Sequence, residues 1–170
     1  QKERLLPGAA SGDIVLTAAL EEQFAPDACV PATTARAEGG GYRVSGEKFA
    51  VPFAHCAHRV LVGAMSDAGL VVLLLDPQAA GVTLTAMKTS SYEPQSLLAL
   101  DNVLVPAADV LAGPRDGVEA MRFATECLTA ALCAHQLGVA DTLLRMTASY
   151  TSERKQFGVP ISSFQALKHR

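Results

Sequence analysis

The chain has 170 residues and a formal net charge of −3, and 49% of its residues are hydrophobic against 18% charged. This composition is typical of a folded globular protein and excludes a mainly disordered chain. The 14 basic residues are scattered, which excludes a basic nucleic-acid-binding face. The longest uninterrupted apolar run, residues 69–75, suits a buried strand and is too short to span a membrane, so no membrane contact is expected.

Residues 1–12 predict the end of a helix that stops at Pro7-Gly8. Residues 13–112 predict a β domain, because short apolar or alternating segments recur about every ten residues with turn signals between them. These segments are 14–20, 33–37, 42–46, 48–51, 58–65, 70–75, 82–85 and 97–105. No helical period interrupts them, which favours an antiparallel barrel or sandwich.

The period becomes helical in residues 113–170. Apolar residues recur at spacings of three and four after Asp116, a plausible N-cap, and predict one long helix that ends between 150 and 155. Gly158 and Pro160 stop it, and a second helix is expected from 163 to 170. An apolar stripe of this length needs other helices to cover it. We therefore expect an α+β multidomain protein in which the β domain is followed by the first helix of an α-helical bundle.

The four cysteines match neither a zinc site nor a disulfide framework, so buried thiols in a reducing cytoplasm are expected. His55, Cys56 and His58 are close in sequence, but no further ligand has matching spacing, and a loop is favoured over a metal site. His135 lies on the apolar face of the long helix and is interpreted as a core histidine rather than a site residue.

A candidate cofactor-binding segment follows the long helix. Arg154 supplies a planar cation that can pair with a pyrophosphate, and Gln156 and Gln165 can bond ribose or phosphate oxygens. Phe157 adds a flat apolar face. The alternative for Arg154 is a solvated cation stabilised by the helix dipole.

This segment resembles the acyl-CoA dehydrogenase family. The resemblance rests on the pattern Arg-x-Gln-Phe-Gly-x-Pro-Ile-x-x-Phe-Gln-x-x-x-His, which is Arg154, Gln156, Phe157, Gly158, Pro160, Ile161, Phe164, Gln165 and His169. Similar support comes from Lys2, Leu6, Pro7, Ser11, Gly12 and Asp13, from Gly41, Tyr42, Val44, Gly46 and Lys48, and from Leu100, Asp101, Asn102, Val103, Val105 and Pro106. The resemblance divides the chain into the end of an N-terminal helical domain (1–12), a β domain (13–112) and the start of a C-terminal helical bundle (113–170).

The resemblance implies FAD as cofactor and an acyl-CoA thioester as substrate. A carboxylate base removes a proton from Cα while a hydride passes from Cβ to the flavin, and an electron-transfer flavoprotein accepts the electrons. It also implies an oligomer, usually a dimer of dimers, in which the segment of Arg154, Gln156, Phe157 and Gly158 reaches the ADP part of a neighbour's FAD, and it makes Gln165 a further cofactor-binding candidate. The base is expected beyond Arg170, since Glu21, Glu22 and Glu126 are poor substitutes.

Two segments depart from the family pattern. Glu21-Glu22-Gln23 stands where the family has Thr-Glu-Pro, which places a carboxylate where a hydroxyl would bond the flavin edge. Lys48-Phe49-Ala50-Val51-Pro52 stands where the family has Lys-x-Trp-Ile-Thr. Ala50 cannot cover a ring, and Pro52 has neither a hydroxyl nor an N–H.

Three functions remain open. An active dehydrogenase would hold its flavin with backbone groups near Leu20 and Val51. A non-catalytic subunit of a mixed oligomer would instead complete a neighbour's FAD site. A relative with the same fold could also oxidise another substrate.

Overall fold

The computed structural model describes residues 2–25 and 27–169, so the parts of the expectations above that fall on Gln1, Pro26 and Arg170 lie outside it. The chain forms two compact units, residues 1–125 and residues 126–170. The three domain ranges inferred from the sequence stay a prediction.

The first helix, α1 (Lys2–Ser11), continues past the predicted stop at Pro7-Gly8. The prediction was wrong because Pro7 removes only its own backbone donor, whereas the helix ends where the backbone turns left-handed at Gly12, with φ of 87°. The amide of Ile14 then donates to the carbonyl of Gly8 over 3.0 Å and closes the helix end.

Eight strands form one sheet in the first unit. They are β1 (Leu16–Ala19), β2 (Thr34–Glu38), β3 (Gly41–Pro52), β4 (Arg59–Ser66), β5 (Gly69–Leu75), β6 (Val82–Met87), β7 (Gln95–Val105) and β8 (Val110–Ala112). The order is β6-β7-β3-β2-β4-β5-β8, and β1 pairs with β4. The order does not return to its start, so the β domain is sandwich-like rather than a closed barrel. Most pairs are antiparallel, but β1 and β2 each run parallel to β4.

The sequence predicted most of these strands, and the structure confirms them. It joins the two segments predicted at 42–46 and 48–51 into the single strand β3, whose pairing with β7 shifts register between Lys48 and Val51. A 3₁₀ helix (Ala107–Asp109) and β8 were not predicted. The predicted fold class, a β domain followed by a long helix, is confirmed.

Alternation along the strands produces the main core. Val44, Val60, Val62, Leu73 and Leu98 are fully buried within it. A second cluster of Leu70, Val72 and Met121 packs the start of the long helix against the sheet. The sheet therefore fixes where that helix begins.

The long helix, α2 (Gly117–Glu153), begins in the first unit and ends in the second. Only Gly117 and Met121 are buried, and large apolar side chains from Phe123 to Tyr150 are exposed in the described chain. By length and composition alone α2 is also able to cross a membrane, a weak indication, since core helices of soluble proteins pass the same test. The absence of membrane contact stays a prediction.

After α2 come a two-stranded hairpin, β9 (Lys155–Gln156) and β10 (Val159–Pro160), a 3₁₀ helix (Ile161–Ser163) and α3 (Gln165–Lys168). The helix predicted at 163–170 is thus a 3₁₀ turn and a single α-helical turn. The prediction of buried side chains was wrong for Cys56, Cys127 and Cys133, which are exposed, as is His135. Three of these residues lie on the part of α2 after Met121, which the described residues leave exposed.

Candidate functional site

The hairpin after α2 presents the predicted cofactor-binding residues. The amide of Arg154 still donates to Tyr150 over 2.8 Å, and its carbonyl accepts from Ile161 over 2.9 Å, so the helix end and the hairpin are joined at Arg154. The two tip residues, Phe157 and Gly158, have φ of 54° and 82°. Positive φ at both positions matches the twist of a two-residue hairpin and makes the hairpin tight.

The side chains on this hairpin point to solvent. Phe157 is 94% exposed and meets Phe164 edge to face, with ring centroids 6.2 Å apart. Arg154 is exposed, and its guanidinium forms no ion pair within residues 2–25 and 27–169. Gln156 donates only to the carbonyl of its neighbour Lys155, and Gln165 is exposed at the start of α3.

This surface suits an anionic, ring-bearing ligand. A free guanidinium can pair with a pyrophosphate, two amides can bond ribose or phosphate oxygens, and an exposed aromatic face can cover a base. Arg154 also directly follows the C-terminus of α2, where a cation is favoured by the helix dipole. The position of Arg154 therefore suits both roles considered for it.

Two further segments, which the resemblance assigns to the flavin ring, lie side by side in the first unit. The amide of Phe49 donates to the carbonyl of Glu21 over 2.8 Å, and the hydroxyl of Thr17 donates to the carbonyl of Pro52 over 2.7 Å. Ala50 and Phe53 both have φ of 52°, so β3 is distorted where it passes residues 20–22.

The two predicted residues of this region have little side chain to offer. Val51 is fully buried in the main core, and Leu20 packs on the cluster around Leu70 and Met121. Val51 has no exposed surface, its backbone included, whereas Leu20 is partly exposed. The structure therefore places Leu20 and Val51 in the first unit, and Arg154, Gln156, Phe157 and Gln165 in the second.

The sequence did not reveal a buried ion pair that joins these two segments. The Nζ of Lys48 donates to the Oε1 of Glu22 over 2.6 Å, and the side chains are 1% and 5% exposed. Glu22 also accepts from the hydroxyl of Thr33 over 2.7 Å, from its amide over 3.2 Å, and from the amide of Ala32 over 2.6 Å. Both carboxylate oxygens therefore accept hydrogen bonds from other residues of the first unit.

The surroundings shift both ionisations. Burial alone would raise the pKa of Glu22, but the hydrogen bonds from Lys48 and Thr33 outweigh burial and hold that pKa below its ordinary value. Burial lowers the pKa of Lys48, although Glu22 opposes the effect. The sequence did contain one sign of this pair. Lys48 lies four positions after the buried Val44 in β3, so the alternation of the strand turns its side chain inward, and a buried cation needs a partner.

Glu22 is therefore unsuited to act as a base toward a substrate. Of the two neighbouring carboxylates, Glu21, which stands in place of the family's Thr, is exposed, and Glu22, which matches the family's Glu, is buried. Glu126 is exposed on α2, as expected of a surface helix residue. Within the described part of the chain, no group of three or more His, Cys, Asp or Glu residues is arranged for a metal ion, and His58 accepts from the amide of Val15.

Comparison with known proteins gives consistent matches. Residues 116–170 match the family model "Acyl-CoA dehydrogenase, C-terminal domain". The chain is 37% identical over 167 residues to the acyl-CoA dehydrogenase FadE28 of Mycobacterium tuberculosis, which covers 98% of this chain and 45% of that protein. The chain thus spans about half the length of the relatives it matches.

Solved structures agree with these sequence matches. A variant of the Tcur3481-Tcur3483 steroid ACAD superposes with a TM-score of 0.84 at 38% identity, over 99% of this chain and 44% of that one. The ChsE4-ChsE5 complex of Mycobacterium tuberculosis gives a TM-score of 0.82 at 34% identity, over 95% of this chain and 42% of that one.

Proposed function

Because this chain belongs to the acyl-CoA dehydrogenase family, we propose that the protein is an FAD-dependent oxidoreductase that introduces a double bond between Cα and Cβ of an acyl-CoA thioester. The observation that carries this proposal is the exposed hairpin after α2, whose Arg154, Gln156 and Phe157 form a surface fitted to the ADP part of FAD. Bound FAD would supply the hydride acceptor.

The residues of this chain act by binding and orientation. Arg154 would hold the pyrophosphate through its planar fork, while Gln156 and Gln165 would bond neighbouring oxygens. Phe157, supported at its edge by Phe164, would provide the apolar face. Backbone groups at the partly exposed Leu20 would meet the ring end, whereas the fully buried Val51 would support that segment from the core. The base that takes the Cα proton would come from outside the described residues.

The expected partners follow from the same proposal. An electron-transfer flavoprotein would reoxidise the reduced enzyme, and the protein would work as an oligomer, because a hairpin this exposed suits contact with a neighbouring subunit's cofactor. A dimer of dimers is the arrangement proposed. A cytoplasmic location is also proposed, supported by four free thiols, and fractionation that places the protein elsewhere would contradict it.

A second function, that of a non-catalytic subunit in a mixed oligomer, is favoured by one contrast within the chain. The ADP-side hairpin keeps the family pattern, whereas Glu21, Ala50 and Pro52 depart from it on the ring side. The similarity to the ChsE4-ChsE5 complex gives this proposal further support. Such a subunit would donate Arg154, Gln156 and Phe157 to another chain's FAD without holding its own.

Flavin content distinguishes the two functions. The protein would be purified alone and together with a co-expressed homologue, and the visible flavin spectrum and the FAD per chain would be recorded. A yellow protein with one FAD per chain that is bleached by an acyl-CoA under anaerobic conditions supports the dehydrogenase. A colourless chain that forms a half-occupied complex with its homologue supports the partner subunit. A colourless protein in every assembly would contradict both.

A further inference from the structure

The buried ion pair of Glu22 and Lys48 joins three parts of the first unit at one point. Glu22 follows β1, Lys48 lies in β3, and Thr33 with Ala32 leads into β2. The carboxylate of Glu22 accepts from donors on the other two segments, at distances from 2.6 to 3.2 Å. Movement of any one segment would therefore break bonds at this carboxylate.

Stability alone does not account for a charged pair in this place. Removing two charges from water is costly, and apolar side chains of similar volume often serve as well or better. Buried charges that persist despite this cost are best attested where they fix one arrangement among several. The arrangement fixed here is that of residues 20–22 against residues 48–52.

The backbone beside the pair is held in an uncommon conformation. The pairing of β3 with β7 shifts register directly after Lys48, and Ala50 and Phe53 both have φ of 52°. Residues with a side chain rarely adopt positive φ, and such positions persist only where neighbouring contacts determine them. The bond from the amide of Phe49 to the carbonyl of Glu21 is the backbone counterpart of the ion pair.

We propose that the Glu22–Lys48 ion pair is a positioning device for the ring end of the cofactor. It holds Leu20 and Glu21 against Phe49 and Ala50, which are partly exposed beside them, so that the two segments form one preorganised surface. Neither charged side chain touches the cofactor. This inference rests on the proposed function, because it needs FAD to be bound by this chain.

The competing explanation is that the pair only stabilises the fold. A double variant, Glu22→Gln with Lys48→Met, separates the two explanations, since it removes both charges without leaving either one buried alone. The single variant Glu22→Gln leaves Lys48 less well compensated. Glu38→Gln is the matched control, because it removes a carboxylate from an exposed ion pair with Arg43 in the same sheet.

Each variant of the intact protein, in the oligomer in which it purifies, would be tested for thermal stability, affinity for FAD and affinity for ADP. The visible circular dichroism of the flavin would report the environment of the ring. ADP probes the Arg154 end of the site without the ring. If the ion pair is a positioning device, the double variant should regain most of the thermal stability that Glu22→Gln alone loses. It should nevertheless bind FAD about tenfold more weakly than the wild type and show an altered circular dichroism of the flavin, while its affinity for ADP stays unchanged.

The opposite results are equally definite. The positioning role is wrong if the double variant regains wild-type affinity for FAD together with its stability. It is also wrong if the affinity for ADP falls as much as the affinity for FAD. If wild-type protein binds FAD and is bleached by an acyl-CoA while every variant binds FAD equally well, only this inference fails. If the wild-type protein binds no FAD in any assembly, the proposed function and this inference fail together.

Discussion

At the scale of residues, Glu22 and Lys48 show how burial multiplies the effect of one substitution. Replacing Glu22 with Ala leaves the cation of Lys48 buried without its partner, and the free energy of unfolding should fall by about 3–5 kcal/mol. The double replacement Glu22→Gln with Lys48→Met should cost far less, because no buried charge is left and the amide oxygen of Gln can still accept from Thr33 and Ala32. Urea unfolding would measure the loss of unfolding free energy in both variants. A double variant that is destabilised as much as Glu22→Ala would contradict this expectation.

An exposed pair supplies the control for this comparison. Glu38 faces Arg43 with its side chain 43% exposed, so Glu38→Ala should change the free energy of unfolding by less than about 1 kcal/mol. A cost as large as that of Glu22→Ala would mean that burial is not the deciding factor.

The lowered pKa of Glu22 predicts a dependence of stability on pH. The unfolded chain has the ordinary glutamate pKa, about 4.3, so it binds this proton more readily than the folded chain. The stability contributed by Glu22 is therefore complete above that value and is lost as the pH falls through the lower folded pKa. The difference in unfolding free energy between wild type and Glu22→Gln should be constant above about pH 5 and shrink as the pH falls further, through the ordinary pKa and then the lower folded pKa. A difference that stays constant throughout would contradict it.

At the scale of elements, the start of α2 is fixed by a close approach of backbone to backbone. A Cβ on Gly117 would lie 1.9 Å from the carbonyl oxygen of Leu70, a distance that requires one backbone to move. Gly117→Ala should destabilise the first unit by about 1–3 kcal/mol. Gly113→Ala is the control, since its Cβ meets nothing within 4 Å, and should stay within about 0.5 kcal/mol. Equal thermal unfolding of the two variants would exclude this packing.

The hairpin allows its turn to be separated from its aromatic ring. Asn tolerates the positive φ of position 157, so Phe157→Asn should keep the turn but lose the ring and its contact with Phe164. We expect this variant to retain less FAD through gel filtration. Gly158→Ala keeps the ring but strains the turn by about 1–2 kcal/mol. Full FAD retention by Phe157→Asn would show that the ring of Phe157 does not contribute to FAD binding.

At the scale of the whole molecule, the sequence pattern predicted the elements that depend on local periodicity, namely the strands and the long helix. Short apolar or alternating segments between turn signals identified seven of the eight strands of the sheet, because residues such as Val44 and Leu98 must face one core. The run of apolar spacings after Asp116 identified α2. The end of α1 was missed because Pro7 looks like a stop but costs only one hydrogen bond. The exposure of Cys127, Cys133 and His135 was missed because the described residues leave α2 uncovered where these three side chains lie.

The candidate site divides in the same way. Arg154, Gln156, Phe157 and Gln165 are consecutive enough to form a recognisable pattern, and the hairpin brings them onto one exposed segment. The partnership of Glu22 with Lys48 depends on a contact across 26 positions, which no local pattern contains. Its one visible sign was a lysine at an inward-facing position of a strand.

The central claim is that the hairpin after α2 holds the ADP part of FAD, and FAD retention by a matched pair of variants tests it most directly. Arg154→Ala removes the proposed pyrophosphate ligand, whereas Lys155→Ala removes an exposed neighbouring cation of β9. The FAD per chain after gel filtration should fall clearly for Arg154→Ala and stay at the wild-type value for Lys155→Ala. Unchanged FAD content and activity in Arg154→Ala would contradict the assignment.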